Sequence, residues 1–229
     1  MPAKILQKKD IQDFLRVCSK EHEVFAPVRD GARMVWSPVT PDDALEFEFT
    51  NTDLSPKAFM FPQTECLMHF TNRTDDPEGM VMQPEPGLSR PRLLLNIRPC
   101  DAKAFSVLDL VFERDPDSTD VYWKNKRENT LLIGLACKQP CPTCFCTSVN
   151  CGPHHEEGLD VLLVDLEDRL LVKPLTASGE YLTADLNDAE QADIDQAAEQ
   201  KQTAEAAITD GVSLDAVDSR TVLEEYEHP

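Results

Sequence analysis

The run CKQPCPTCFCTSVNC puts cysteines at positions 137, 141, 144, 146 and 151, five of the eight in the chain. In a reducing compartment, thiols crowded this closely in sequence point to thiolates converging on a metal rather than to a disulfide framework. Pro140 and Pro142 can turn the loop inward, and Cys144 and Cys146, on either side of Phe145, can face one centre if the chain kinks there. His154 and His155 follow and carry metal-ligating chemistry too, but they read as an exposed pair in a Gly-Pro turn.

Spacing leaves the metal open. C-x2-C occurs once in this run, as Cys141 and Cys144, and the paired C-x2-C of a zinc ribbon is absent. The bacterial ferredoxin run C-x2-C-x2-C-x3-C-P is absent as well, so an iron–sulfur cluster here would be of a non-standard type. Zinc and iron–sulfur both remain compatible with the residues. A nucleophilic role for Cys141 or Cys151 would need a basic neighbour, and only His154 and His155 stand near in sequence.

A sixth cysteine is brought in by the elements around the loop. Leu93 to Ile97 and Thr130 to Ala136 are short continuous apolar runs, the pattern of strands buried on both faces. Between them AKAFSVLDLVF has helical spacing, and YWKNKREN allows a second helix. This is a βαβ unit, in which the strands run parallel and their carboxyl ends share one edge of the sheet. Cys100, in Arg98-Pro99-Cys100-Asp101, and Cys137 each follow such an end, where open α/β sheets place their ligands. Asp101 is expected to be the helix N-cap. Arg98 would either support a reduced cluster with its charge or pair with an acidic neighbour.

The rest of the chain completes an α/β fold with a mixed, largely parallel sheet. Asp10 can cap a helix whose apolar side is Ile11, Phe14, Leu15 and Cys18, so Cys18 is read as core. EVFAPVRDG and RMVWSPVT predict a hairpin turning at Asp30-Gly31, and GLDVLLVDLEDRLLVKPL another turning at Glu167-Asp168. Residues 41–62 give no assignable pattern. Cys66, between apolar residues of an expected strand, is read as core, and Lys124, Lys126 and Arg127 as a basic cluster for an acidic partner or a solvated helix face. From Asp185 to Pro229 there are thirteen acidic residues against Lys201 and Arg220, which predicts one or two exposed acidic helices. The expected organisation is an α/β metal-binding domain over 1–184 and an acidic tail or linker over 185–229.

A formal net charge of −20 over 229 residues argues against nucleic acid and anionic membrane surfaces as partners. No apolar run reaches the roughly 18 residues of a membrane span, and the N-terminus lacks a signal layout, so the expected location is the cytoplasm. Neither a G-x-G-x-x-G nor a Walker sequence is present, and no nucleophile–base pair for hydrolysis stands out. The expected role is therefore a non-catalytic one.

Taken together, Arg98-Pro99-Cys100-Asp101, Arg127-Glu128-Asn129-Thr130, Gly134-Leu135, Cys137 and Thr143-Cys144-Phe145-Cys146-Thr147-Ser148 resemble the N-terminal domain of the family of sulfhydrogenase beta subunits and the iron–sulfur A-type subunits of anaerobic sulfite reductases. Ser55-Pro56-Lys57 and Phe61-Pro62-Gln63 fit the same pattern, so the resemblance runs from the first helix to about Pro174. It implies an electron-transfer protein with Cys100, Cys137, Cys144 and Cys146 as the four ligands of a [4Fe–4S] cluster. The implied partners are a flavin-bearing oxidoreductase subunit, a ferredoxin-type domain or protein, and a catalytic hydrogenase or a reductase subunit for sulfite, sulfur or disulfide. Two features depart from the pattern. The ferredoxin-type clusters expected downstream have no counterpart in this sequence, and Cys141 and Cys151 stand as additional thiols that could replace a ligand.

Overall fold

In chain order the elements are β1 (Lys4–Gln7), α1 (Ile11–Glu21), β2 (Glu23–Asp30), β3 (Arg33–Pro38), β4 (Met68–Asn72), β5 (Met80–Pro84), β6 (Arg92–Ile97), α2 (Pro99–Phe112), α3 (Val121–Glu128), β7 (Thr130–Leu135), β8 (Val161–Asp165), β9 (Arg169–Pro174), α4 (Ala177–Leu182), β10 (Asn187–Asp188) and α5 (Gln191–Ala206). This computed structural model describes residues 1–72, 80–85 and 87–208, and the expectations for 209–229 lie outside them.

Eight strands form one sheet in the order β10-β1-β9-β8-β7-β6-β2-β3. Its centre is parallel, β2 with β6, β6 with β7 and β7 with β8, while antiparallel hairpins extend it on both sides. The fold is thus α/β, with β6, the α2–α3 crossover and β7 as the expected βαβ unit. Both hairpins lie where the sequence puts them. Gly31 takes φ +60° at the first turn and Glu167 φ +79° at the second, the left-handed conformation that such tight reversals use.

Two cores, one on each face, account for the continuous apolar strands. Leu93, Leu95, Ile133, Leu135, Val161 and Leu163 join Phe14, Leu15 and Cys18 of α1 in the first. Leu94, Leu132, Leu162 and Val164 join Phe105 of α2 and Trp123 of α3 in the second. Cys18 is fully buried, as expected, and burial pushes its thiol up to about 12.

At the end of β6 the alternation breaks. Leu95 pairs with Ile133 and Ile97 with Gly134, so Asn96 is an extra residue, a bulge with φ +63°. Strict alternation would put Ile97 with Leu93 and Leu95, yet it packs in the opposite core with Leu94. Asn tolerates the left-handed region better than most residues, and its Nδ2 donates to the Glu46 carbonyl at 3.0 Å. The bulge re-aims the chain immediately before Arg98 and Cys100.

The acidic segment contributes β10 at the sheet edge and α5, which buries Ala197 and Ala204 and ties Asp193 to Arg169 at 2.7 Å. The loop leading to β8 is held against α2 by Gly158, whose φ is +84° and where a Cβ would meet the Ala102 carbonyl oxygen at 2.8 Å. Gly158→Ala is therefore expected to cost about 2–4 kcal/mol, read as a melting temperature lower by roughly 5–10 °C. An unchanged melting temperature would mean that this loop is free to move off the helix.

Candidate metal centre

The loops leaving β6 and β7 open onto a cavity of about 600 Å³ whose walls include Cys100, Cys137, Cys141, Cys144, Cys146 and Cys151. The four ligands that the resemblance implies and the two additional thiols thus share one cavity at the carboxyl edge of the parallel strands. All six are free thiols. Cys100 lies in the first turn of α2, Cys137 two residues past β7, and Cys146 opens a short 3-10 turn over Cys146–Val149.

Helix α2 begins three residues earlier than expected. Arg98 is its N-cap and Pro99 its first residue, a position where the missing N–H of proline is no loss. Asp101 is therefore not the cap. It lies inside the first turn, receives a 3.4 Å hydrogen bond from Ser55 Oγ, and is held above the usual carboxylate range by burial.

Protein packed around the thiols disfavours their charged forms. Cys100 is exposed at its cavity side, yet desolvation and the neighbouring Asp101 and Cys137 push it up to about 12. Burial raises Cys137 too, against the pull of Arg98, and lifts Cys151 to about 11. Cys146 is raised by the same cause. Cys141 differs: its Sγ lies 3.3 Å from Thr143 Oγ1, 3.2 Å from Cys144 Sγ and 3.7 Å from Asn51 Nδ2, and these contacts draw it down to about 7. Its partner Cys144 moves the other way, to about 11, through desolvation and that same contact.

Arg98 is the one buried cation among these thiols. It is 5% exposed and stacks over the Phe49 ring at 4.0 Å. Nε donates to the Thr50 carbonyl at 2.9 Å, Nη1 to those of Leu135 and Ala136 at 3.2 and 3.3 Å, and Nη2 to that of Phe49. Of the two roles open to it, the salt bridge is not made: among the described residues no carboxylate lies within ion-pair distance of the guanidinium. Every acceptor is a neutral carbonyl; burial works against the charge most, and Cys137, Cys100, Asp101 and Cys144 favour it without a direct ion pair.

Residues 41–62, which have no readable pattern, supply the far wall. Thr50, Asn51 and Lys57 line the cavity, the carbonyls of Phe49 and Thr50 hold Arg98, and a 3-10 turn over Pro56–Phe59 packs beside α2. No periodicity could have revealed them, because they act through backbone carbonyls and irregular chain.

Other expectations are corrected. His154 is buried and lowered to about 4 by desolvation, with Nε2 lacking a hydrogen-bond partner, while His155 is partly exposed beside Glu157. The pair is not an exposed turn, because Pro153 and His154 tuck under the loop. Cys66 is exposed and precedes β4, so it is not core. The basic cluster divides: Lys126 and Arg127 turn inward to pair with Glu65 and Asp109, while Lys124, beside Glu128, stays on the solvated helix face.

Fold and site together define an α/β protein with a thiol-lined cavity at the carboxyl edge of its parallel strands. Comparison with known proteins gives one particular relative: the chain is 25% identical over 175 residues to sulfhydrogenase 2 subunit beta of Pyrococcus furiosus. The match covers 76% of this chain and 48% of that protein, so the chain spans about half the length of its relative. The two are distantly related, in keeping with the resemblance read from the motifs. No family model matches the chain, and no solved structure does. No helix among the described residues is long and apolar enough to cross a membrane.

Proposed function

We propose that Cys100, Cys137, Cys144 and Cys146 hold a [4Fe–4S] cluster and that the chain is an electron-transfer component of a hydrogenase-type or sulfur-reductase complex. The observation that carries this reading is Arg98, a buried cation whose hydrogen bonds all go to neutral carbonyls and which lies close enough to Cys137, Cys100 and Cys144 to interact with their charges. A guanidinium that donates only to carbonyls keeps its charge available to a further anion, and a thiolate-bound cluster of net negative charge would supply one.

Bound there, the cluster would accept and release single electrons, with no substrate of its own. Exposed Val107, Phe145 and Val149 at the cavity mouth give a partner an apolar surface to dock on. Ile208, just past α5, also lines the cavity. In this reading residues 1–184 carry the cluster, and the segment from 185 onward, tethered through β10 and α5, leads a ferredoxin-type partner towards that mouth. A flavin-bearing oxidoreductase component and a catalytic hydrogenase or reductase complete the relay, in the reducing cytoplasm.

A zinc-stabilised docking scaffold is the second reading, favoured by the 3.2 Å approach of Cys141 and Cys144. Metal and acid-labile sulfide content after purification without oxygen separates the two. About four iron and four sulfide per chain, with a brown colour bleached by dithionite, is the expected result. Zinc in their place, or a colourless iron-free chain, removes the relay reading.

A further inference from the structure

Away from the cysteine cavity, a second set of metal-ligating side chains converges where the β4–β5 hairpin meets the body. Cys66 Sγ lies 3.8 Å from His69 Nε2, and His69 Nε2 is in contact with Glu85 Oε2. Together they are the one group among the described residues that brings three such donor atoms within 4.8 Å of one another. Donors on a tetrahedral zinc ion stand about 3.4–3.8 Å apart, the spacing of Cys66 and His69; the His69–Glu85 hydrogen bond opens by a small rotation of the partly exposed carboxylate to admit the ion.

The strand geometry explains the convergence. His69 pairs with Gln83, and Glu85 N donates to the Leu67 carbonyl at 3.1 Å. Residues two apart on a strand, and residues opposite each other, share a face, so His69 and Glu85 are diagonal neighbours on one side of the hairpin. Cys66 precedes the strand, where the chain is not bound by alternation, and its thiol returns to the same point.

We propose that Cys66, His69 and Glu85 form a zinc site, with a water molecule as fourth ligand. Thiolate, imidazole and carboxylate are the donor types zinc prefers, and the thiolate and carboxylate charges together neutralise the ion. Binding releases the Cys66 thiol proton to solvent. The site answers a structural need: β4 and β5 form a separate two-stranded sheet, and such a hairpin is marginally stable alone. An ion joining the start of one strand to the end of the other clamps its open end. Cys66 and Glu85 also line a cavity of about 650 Å³ with Tyr122 and Lys126 of α3, so the clamp sits against the body.

The test uses the full chain, loaded with iron and sulfide without oxygen and then equilibrated with buffered micromolar zinc. Wild type is expected to hold about one zinc per chain in addition to its iron, and Cys66→Ser and His69→Gln less than about a fifth of that, with iron unchanged. Glu85→Gln is expected to weaken zinc binding at least about tenfold. Equal zinc in wild type and Cys66→Ser, including none in either, overturns the site. Should the cysteine cavity itself take zinc instead of iron, Cys66→Ser would fall from two zinc ions to one rather than from one to none. The two proposals thus fail separately. All three side chains are at the surface, and unchanged far-ultraviolet circular dichroism confirms that the variants fold.

Discussion

Replacing Cys137 with serine is expected to lower the iron of oxygen-free reconstituted protein from about four per chain to below about one, while Cys141→Ser leaves it near its starting value. The contrast comes from how the two thiols are held. Cys137 follows a strand buried in both cores, so its position is fixed by the sheet, and the two carbonyls just before it are held by the Arg98 guanidinium. Cys141 lies farther out on the loop and is already satisfied by Thr143, Asn51 and Cys144. At 3.2 Å from Cys144 it cannot serve a separate iron without the pair spreading. Iron and sulfide analysis of the serine variants reads the ligand set directly. If Cys141→Ser loses the cluster and Cys144→Ser keeps it, the two exchange roles; if Cys137→Ser keeps it, the assignment fails.

The second large effect is expected at Arg98. A fixed positive charge beside a cluster favours its reduced, more negative state, so Arg98→Gln is expected to lower the reduction potential by on the order of 50–100 mV. The same change removes donors from carbonyls that close the strand ends and costs about 2–4 kcal/mol of stability. Arg98→Lys separates the two contributions. Lysine keeps the charge but cannot reach all the carbonyls that the guanidinium fork serves, so it is expected to lose stability while keeping the potential within about 20 mV. A potentiometric titration that finds Gln and Lys equally displaced would show that Arg98 acts by shaping the loop and not through its charge.

Regular elements were legible because burial writes itself into sequence. The runs at 93–97 and 130–136 are apolar without alternation because both faces of their strands are covered, and the hairpin turns at Gly31 and Glu167 follow from local chemistry. Bringing Cys100 and Cys137 to one edge followed from the parallel crossover alone. The gathering of Cys141, Cys144, Cys146 and Cys151 around them was legible only as a concentration of thiols. What stayed hidden depends on irregular backbone. Asn96 looks like any polar residue ending a strand, and its bulge appears only when the neighbouring strand fixes the register. The wall formed by Thr50 and Asn51 touches the site through a carbonyl and an amide, groups that leave no periodic trace. Cys66 misled for a related reason: its apolar neighbours Leu67 and Met68 are about half exposed on a small hairpin, so the flanking pattern that suggested a core was not produced by burial.

The two hydrophobic cores include none of the six cavity cysteines. The apolar packing that joins the sheet to its covering helices therefore rests on none of these thiols, unlike small metal-dependent modules, where the ligands replace a core. On the proposed reading, maturation would have two stages: the polypeptide packs its cores first, and iron and sulfide enter the cavity afterwards. On the same reading, an oxidised cluster would be lost and replaced without the chain having to find its fold again.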